Sequence, residues 1–188
     1  MSKDRVRILD FDIENRPLAY IGQDYTTSEI TAIAACFDGE PKTMRVWLLG
    51  RDATQVMLSG FRKMYDQADM VTGHYIRMHD LPKVNGAMVE NGLGPLDDKL
   101  TCDTKLDLVQ HGGEISASQE NLATMLGLDH LNPKVHMSNA MWREANRLTR
   151  AGQKLTEARA KGDILQHMAL RKALVERGLL SSPKVWRP

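Results

Sequence analysis

The stretch ILDFDIENRP, residues 8–17, carries three acids at alternate positions: Asp10, Asp12 and Glu14. Alternate residues of a β-strand point to the same face of the sheet, so the three carboxylates share one face. Like charges this close repel one another and cost stability unless something compensates them. The candidate compensating partners are a divalent metal ion, a basic side chain, or water at an exposed edge.

Length and composition are those of an ordinary globular protein. The chain has 188 residues, 42% of them hydrophobic and 26% charged, which is enough for one domain with its own core. It has no apolar run long enough to cross a membrane and no apolar N-terminal leader. Cys36 and Cys102 form neither a metal-binding spacing nor a disulfide framework. We therefore expect a cytoplasmic protein (in the host cytoplasm if it is viral) with no membrane partner.

Charge is distributed unevenly along the chain. The net charge is only +1, but residues 134–188 hold 12 Lys and Arg against 4 Asp and Glu, and the rest of the chain is acidic. An acidic body with a basic C-terminal third favours a polyanionic partner held near a site that uses carboxylates. The alternative is that helical surfaces are simply rich in Arg and Lys. Charge alone leaves both open.

Hydrophobic periodicity and turn residues predict an α/β fold, with a hairpin turn at DGEPK (38–42). The expected strands lie at 6–13, 30–38, 43–50, 69–74 and at the start of 100–112. The expected helices lie at 52–68, 79–92, the end of 100–112, 116–128, 136–150 and 153–177. We therefore predict a single domain with a central mixed sheet, three strands antiparallel and two parallel, flanked by helices. Its sheet core would span 5–112 and its helical part 113–180.

Two further acids stand at prominent positions in the helical predictions. Asp80 precedes Leu81-Pro82, and Asp163 follows Gly162 and leads an apolar helical run. Taken alone, each is adequately explained as a helix N-cap. Few other acids exist in the basic C-terminal region, so the order of Asp12, Glu14, Asp80 and Asp163 along the chain carries more information than any one of them.

Three motifs in this order resemble a known family. They are FDIEN (11–15) on the first strand, HYIRMHDLP (74–82) at a helix start, and KGDILQHMALRKAL (161–174) on a late helix. Together they resemble the DEDD, or DnaQ-like, 3′–5′ exonucleases, which have the ribonuclease H-like fold. FDIENRPLAYIG (11–22) is especially similar to stand-alone members related to YprB-type nuclease domains. The resemblance covers roughly residues 5–180.

The resemblance implies a two-metal site. Mg²⁺ and Mn²⁺ prefer carboxylate oxygen ligands, and two such ions can activate a water and stabilise a leaving 3′ oxygen. By resemblance, Asp12 bridges both ions, Glu14 and Asp163 complete the ion that activates the water, and Asp80 holds the second ion. Asp103 supports the site from behind without being a ligand.

The implied activity is a metal-dependent 3′–5′ exonuclease that acts on DNA with a free 3′ end, alone or with a polymerase or a replication or repair complex. One alternative is an exoribonuclease or a structure-selective nuclease on the same fold. Another is a catalytically silent nucleic-acid-binding or polymerase-accessory domain. The sequence does not distinguish the sugar, because contacts to the 2′-OH are not readable from it.

One departure from the family concerns the residue that orients the attacking water. Most active members carry a His five residues, or a Tyr four residues, before the last Asp, where this chain has Ala158 and Arg159. His167 lies one helical turn after Asp163 and is the candidate general base. The simpler interpretation is that His167 is an ordinary helix residue, in which case the metals activate the water alone or the enzyme is a degenerate, weakly active member.

Candidate nucleic-acid contacts lie beside the acidic motifs and in the basic C-terminal third. Asn15 follows Glu14 where relatives seat the terminal nucleotide, and His74 begins the second motif. The basic candidates are spaced as a helical stripe or lie near Asp163: Arg143, Arg147, Arg150 and Lys161. The tryptophans are candidates for base stacking, although Trp47 and the other isolated tryptophans are better explained as core residues.

Overall fold

The computed structural model describes residues 6–17, 28–109, 115–128 and 135–188. The strands are β1 (Ile8–Pro17), β2 (Ser28–Phe37), β3 (Arg45–Leu48), β4 (Met70–Gly73), β5 (Lys99–Asp103) and β6 (Lys184–Trp186). The helices are α1 (Thr54–Gln67), α2 (Asp80–Glu90), α3 (Gln119–Met125), α4 (Asn139–Asn146) and α5 (Arg150–Glu176), with a short 3₁₀ turn at Pro41–Thr43. None of the helices in the described ranges is long and apolar enough to cross a membrane.

The six strands form one mixed sheet in the order β3-β2-β1-β4-β5-β6. Strands β3, β2 and β1 are antiparallel, β4 and β5 run parallel to β1, and β6 is antiparallel to β5. The predicted α/β class, with three antiparallel strands and two parallel ones, is confirmed. The strand that carries the acidic pattern, β1, lies inside the sheet with a neighbour on each side.

Each face of the sheet is covered by different helices. The main core joins alternate residues of β1 and β2, such as Phe11 and Ile33, to buried residues of α1 and α2, such as Phe61 and Leu81. The opposite face carries the acids of β1 and packs against α5. Here β2 supplies Ala32, Ala34 and Cys36, which pair with Glu14, Asp12 and Asp10 respectively. These side chains are small, so the helix approaches the sheet closely.

The C-terminal helices are joined by a sharp break. The sequence predicted helices at 136–150 and 153–177, whereas α4 ends at Asn146 and α5 already begins at Arg150. Leu148 adopts the left-handed conformation (φ 56°) that ends a helix, and the Thr149 hydroxyl caps α5 by accepting from the Gly152 N–H. Asp163 consequently lies in the middle of α5, and its interpretation as an N-cap is wrong.

Two other predictions fail at the far edge of the sheet. As far as the structure describes this segment, up to Val109, no helix follows β5: residues 104–107 form a turn, and the Val109 N–H donates to the Leu179 carbonyl after α5. The region beyond Gly113 is not all helical either, since β6 adds an edge strand and Trp186 joins the main core. Both features depend on pairing between distant segments, which local periodicity does not report. The predicted boundary at 112/113 falls outside the described residues, and the division into two parts stays a prediction.

Two helical glycines provide a test of this packing. A Cβ at Gly152 would lie 2.2 Å from the Glu144 carbonyl oxygen, where α4 crosses α5, whereas a Cβ at Gly86 in α2 would meet nothing within 4 Å. We expect Gly152→Ala to lower the free energy of unfolding by about 1–3 kcal/mol through overpacking. Gly86→Ala should raise it by about 0.5–1 kcal/mol through helix propensity. Urea unfolding measures both, and the same sign for the two variants would contradict the packing described.

Candidate active site

A cleft of about 330 Å³ lies at the end of β1 where β4, α2 and α5 meet. All four predicted metal ligands line it: Asp12, Glu14, Asp80 and Asp163. Four polar residues line other parts of the same cleft: His74, Lys105, Gln119 and Arg159. Residues separated by about 150 positions in the chain therefore share one cavity.

The acids come together because α5 runs antiparallel along the acidic face of β1. Two residues of a strand advance about 6.6 Å, and four residues of a helix advance about 6 Å. Successive acids of β1 therefore meet successive turns of α5. Glu14 contacts Arg159, whose Nε lies 3.4 Å from its Oε1, and Asp10 meets His167 and Arg171 two and three turns further along the helix.

Three carboxylates form a compact cluster at the centre of this arrangement. One oxygen each from Asp12, Glu14 and Asp163 lie within 4.8 Å of one another. Asp163 is buried, while Asp12 and Glu14 are partly exposed to the cleft. A set of converging carboxylate oxygens suits a hard divalent cation such as Mg²⁺ or Mn²⁺. The donor chemistry of the cluster thus fits the metal that the sequence motifs imply.

Asp80 of α2 lies in the same cleft, beside the cluster of three carboxylates. It is the first residue of that helix, and its Oδ1 accepts a hydrogen bond of 3.1 Å from the backbone N–H of Ile13, between Asp12 and Glu14. His79 lies beside it, with Nδ1 3.3 Å from Asp80 Oδ2. The Asp80 carboxylate therefore ties the start of α2 to β1 rather than capping its own helix.

Electrostatics in the cluster are unfavourable for a full set of negative charges. Burial is the largest cause that raises the pKa of Asp12 well above its usual value. The negative charges of Asp80, Asp163 and Glu14 raise that pKa further, and the positive charge of Arg159 lowers it. The cluster therefore favours a cation, which would bring the Asp12 pKa down again.

His167, the predicted general base, lies on the correct face of α5 but outside the cleft lining. Its side chain is 4% exposed, and Nδ1 lies 3.0 Å from Asp10 Oδ1, so Nδ1–H donates to that carboxylate. Its Nε2 is buried, with no hydrogen-bond partner among the described residues. Arg171 also binds Asp10: its Nε lies 3.1 Å from Asp10 Oδ1, and its Nη2 lies 3.1 Å from Asp10 Oδ2.

The second motif is shaped by Asp103, which the sequence predicted to support the site. Its carboxylate accepts the backbone N–H groups of Tyr75 and Arg77 at 2.9 and 3.1 Å. These bonds hold Tyr75 in a left-handed conformation (φ 69°). Asp107, buried beside it, pairs with both terminal nitrogens of Arg77 at 2.6 and 2.9 Å. The loop between β4 and α2 is thereby fixed against β5.

His74, a predicted nucleic-acid contact, lines the cleft as an uncharged group. Its Nδ1 lies 3.0 Å from the Thr104 hydroxyl. Burial, aided by His167, lowers the pKa of His74 to about 4. At neutral pH it is therefore a hydrogen-bonding wall of the cleft and not a cation for phosphate.

The other predicted nucleic-acid contacts do not line the cleft. Asn15 is half-buried on β1, just after the irregularity in its pairing with β2. The predicted single stripe of Arg143, Arg147 and Arg150 is wrong, because α4 ends before Arg147 and Arg150 begins α5. All three arginines are exposed, and Lys161 pairs with Glu157 at 2.8 Å. Trp186 belongs to the core and Trp47 packs against it, which leaves the partly exposed Trp142 as a stacking candidate.

Sequence reasoning missed several residues of the site. Gln119 of α3 donates to the Asp163 carbonyl at 3.0 Å, and Lys105 lines the cleft with its Nζ 4.0 Å from the centre of the Tyr75 ring. Arg159 Nε lies 2.9 Å from Asp163 Oδ2. The spacing of Arg159 and Asp163, four residues apart on one helix, was the available signal for that pair.

Comparison with known proteins finds similar structures but no similar sequence. No family model matches the chain, and no curated protein matches it. In structure it is similar to the family B DNA polymerase from the hyperthermophilic archaeon Pyrobaculum calidifontis, with a TM-score of 0.67 and 17% identity, over 91% of this chain. It is also similar to Trypanosoma brucei RNase D, with a TM-score of 0.61 and 14% identity, over 90% of this chain.

The match covers 25% of the polymerase chain and 58% of the RNase D chain. At these identities the likeness establishes the fold: a mixed α/β sheet of the ribonuclease H-like class, flanked by helices. The predicted fold class is therefore confirmed both by the similar solved structures and by the sheet topology of this chain.

The buried Asp10 pair gives a stability prediction. Arg171→Met removes the bidentate partner of a fully buried carboxylate and should lower the free energy of unfolding by about 3–5 kcal/mol. Lys172→Met, at the next position, removes an equal charge whose side chain is 76% exposed and should change it by less than about 0.5 kcal/mol. Denaturant unfolding of both variants is the measurement; equal losses would show that Asp10 does not depend on Arg171.

The raised pKa of Asp12 gives a prediction on pH and metal. We expect Mn²⁺ to raise the melting temperature at neutral pH, because it binds the folded carboxylate cluster. The increase should shrink as the pH falls, beginning at a higher pH than for an ordinary carboxylate, since protonated Asp12 cannot be a ligand. Thermal melts with and without Mn²⁺, from neutral to acidic pH, measure the effect, with Asp12→Ala as control. A melting temperature that Mn²⁺ leaves unmoved would contradict the metal centre.

Proposed function

We propose that the protein is a metal-dependent 3′–5′ exonuclease that hydrolyses phosphodiester bonds at the 3′ end of DNA by a two-metal-ion mechanism. The observation that carries this proposal is the convergence of Asp12, Glu14 and Asp163, with Asp80 beside them, in one open cleft. These are the four residues that the motif order selected, and they come from three different elements. The likeness to a polymerase and to an RNase D is consistent with a nucleic-acid substrate.

In this proposal Asp12, Glu14 and Asp163 would hold one ion, and Asp12 and Asp80 would hold the other. The ions, either Mg²⁺ or Mn²⁺, would supply an activated water and stabilisation of the leaving 3′ oxygen. The chain itself fixes the ligands: the Ile13 N–H orients Asp80, and Gln119 anchors the backbone of α5 at Asp163. Hydrogen bonds of this kind, made to a metal ligand by a residue that does not touch the metal, orient the ligand. Their loss commonly lowers metal affinity or activity by roughly 10–100-fold.

Substrate contacts follow from what lines the cleft. Lys105 supplies a positive charge for a phosphate, and His74 supplies a neutral hydrogen-bonding edge. Asn15 lies one residue beyond Glu14 on β1 and is proposed to seat the terminal nucleotide. The exposed Arg143, Arg147, Arg150 and Lys161 are proposed as weaker contacts to the strand further from the cleft, through salt-sensitive phosphate pairing.

His167 is our candidate general base. Asp10 holds its Nδ1–H, which leaves the lone pair of the buried Nε2 to accept a proton. Because His167 lies outside the cleft lining, a water must relay the proton to it. Neither Ala158 nor Arg159 can take this role, since alanine has no titratable group and the guanidinium stays protonated.

Two alternative functions are each supported by a specific observation. The likeness to RNase D favours an exoribonuclease or a structure-selective nuclease on the same fold. The presence of Arg159 where relatives carry Tyr favours a catalytically silent nucleic-acid-binding or polymerase-accessory domain. Membership of the YprB-type group and a partner in replication or repair are further proposals that rest on the sequence motifs.

A cleavage assay tests the proposal. Purified protein is incubated with 5′-labelled single-stranded DNA or matching RNA, in Mn²⁺, Mg²⁺ or EDTA. We expect a DNA ladder that shortens from the 3′ end and is lost in EDTA. Asp12→Ala and Asp163→Ala should reduce the rate by at least about 100-fold, since even outer contacts to metal ligands account for up to that much.

The control is Asp66→Ala, which removes an exposed acid of α1 and should leave the rate unchanged. Loss of activity in Asp12→Ala alone would show that the third motif is misplaced. Shortening of RNA but not DNA would establish the exoribonuclease, and intact binding without cleavage of either strand would establish the silent domain.

A further inference from the structure

Arg159 occupies the carboxylate cluster with its guanidinium. Nε lies 2.9 Å from Asp163 Oδ2 and 3.4 Å from Glu14 Oε1, and Nη1 donates to the Val135 carbonyl at 2.7 Å. The side chain is 15% exposed. Arg159 thus contacts two of the three members of the cluster, Glu14 and Asp163.

The position of Arg159 makes this contact informative. It stands four residues before Asp163, where the motif resemblance implies a Tyr that handles the attacking water. An arginine cannot accept a proton at any accessible pH. This chain therefore carries a permanent positive charge at the position where the resemblance implies a residue that orients the attacking water.

A divalent ion and Arg159 need the same two carboxylates, Glu14 and Asp163. An ion held by Glu14 and Asp163 would draw on two carboxylates whose negative charge the guanidinium already compensates through one oxygen of each. Two cations that share ligands a few ångströms apart repel each other strongly. Binding of the ion to these two carboxylates therefore competes with their contacts to Arg159.

We propose that Arg159 is a built-in competitor of the divalent cation, which lowers the affinity of the Glu14 and Asp163 ligands for metal. The inference rests on the proposed function in that the carboxylate cluster is taken to be a metal centre. Its consequence is that the enzyme responds to metal only above the concentration that displaces the arginine. Arg159 also relieves the repulsion among the acids, so it stabilises the protein that has been stripped of metal.

These two effects have opposite signs, which separates competition from a merely structural role. Removing the charge should weaken the fold in EDTA and tighten metal binding. A residue that only supported the shape of the site would, on removal, weaken both. Arg159→Met and the more conservative Arg159→Gln remove the charge, and Arg159→Lys retains it.

The experiment is calorimetric titration of EDTA-stripped protein with Mn²⁺. We expect Arg159→Met and Arg159→Gln to bind Mn²⁺ at least about tenfold more tightly than the unaltered protein, a change that corresponds to about 1.4 kcal/mol. Their melting temperatures in EDTA should be lower, and Arg159→Lys should bind nearly as the unaltered protein does. Lys161→Met is the matched control, because it removes the same charge from α5 at a residue that pairs with Glu157 outside the cluster.

Equal or weaker Mn²⁺ binding by a neutral variant that remains folded by circular dichroism would overturn the competition. An equal gain in Lys161→Met would also overturn it, since general charge on α5 would then explain the effect. If the unaltered protein binds Mn²⁺ and shortens DNA while the neutral variants gain nothing, only this inference fails. If no variant binds Mn²⁺, the metal centre and the proposed function fail with it.

Discussion

The packing of α5 along the acidic face of β1 is the constraint on which the rest of the structure depends. A strand interior to a sheet that carries Asp10, Asp12 and Glu14 on one face needs a compensating surface, and one helix supplies it. Because four residues of a helix and two of a strand advance by nearly the same length, each acid meets its own turn of α5. Arg171 and His167 meet Asp10, Asp163 meets Asp12, and Arg159 meets Glu14.

The contacts between the β1 acids and α5 differ at their two ends: one end supports the structure, and the other forms the candidate site. At the Asp10 end the carboxylate is fully buried and satisfied by two partners, so it orients α5 and has no access to solvent. At the Asp12 end an acid faces an acid, and the cluster opens into the cleft. The unfavourable charge at the open end is tolerated because the satisfied end, the small residues of β2 and the apolar contacts of Ala160 and Ile164 hold the helix in place.

The remaining elements bring the fourth acid and the walls of the cleft to this strand–helix pair. Asp80 reaches β1 through the Ile13 N–H, and the loop before it is held by Asp103. In this site Asp80 is tied to β1 by a hydrogen bond, and Arg159 of α5 contacts two of the carboxylates. The balance between that internal cation and a divalent one then decides how the cluster responds to metal.

The sequence by itself determined the strand and helix periods, the mixed sheet, the shared face of the β1 acids and the order of the four candidate ligands. These follow from local patterns and spacing. It did not reveal the partners of Asp10, the edge strand β6 or the contact between Arg159 and Glu14, two residues that are 145 positions apart. Only the tertiary structure decided these, because they depend on how α5 aligns with β1 and how the chain end pairs with β5, and no local pattern encodes such distant registers.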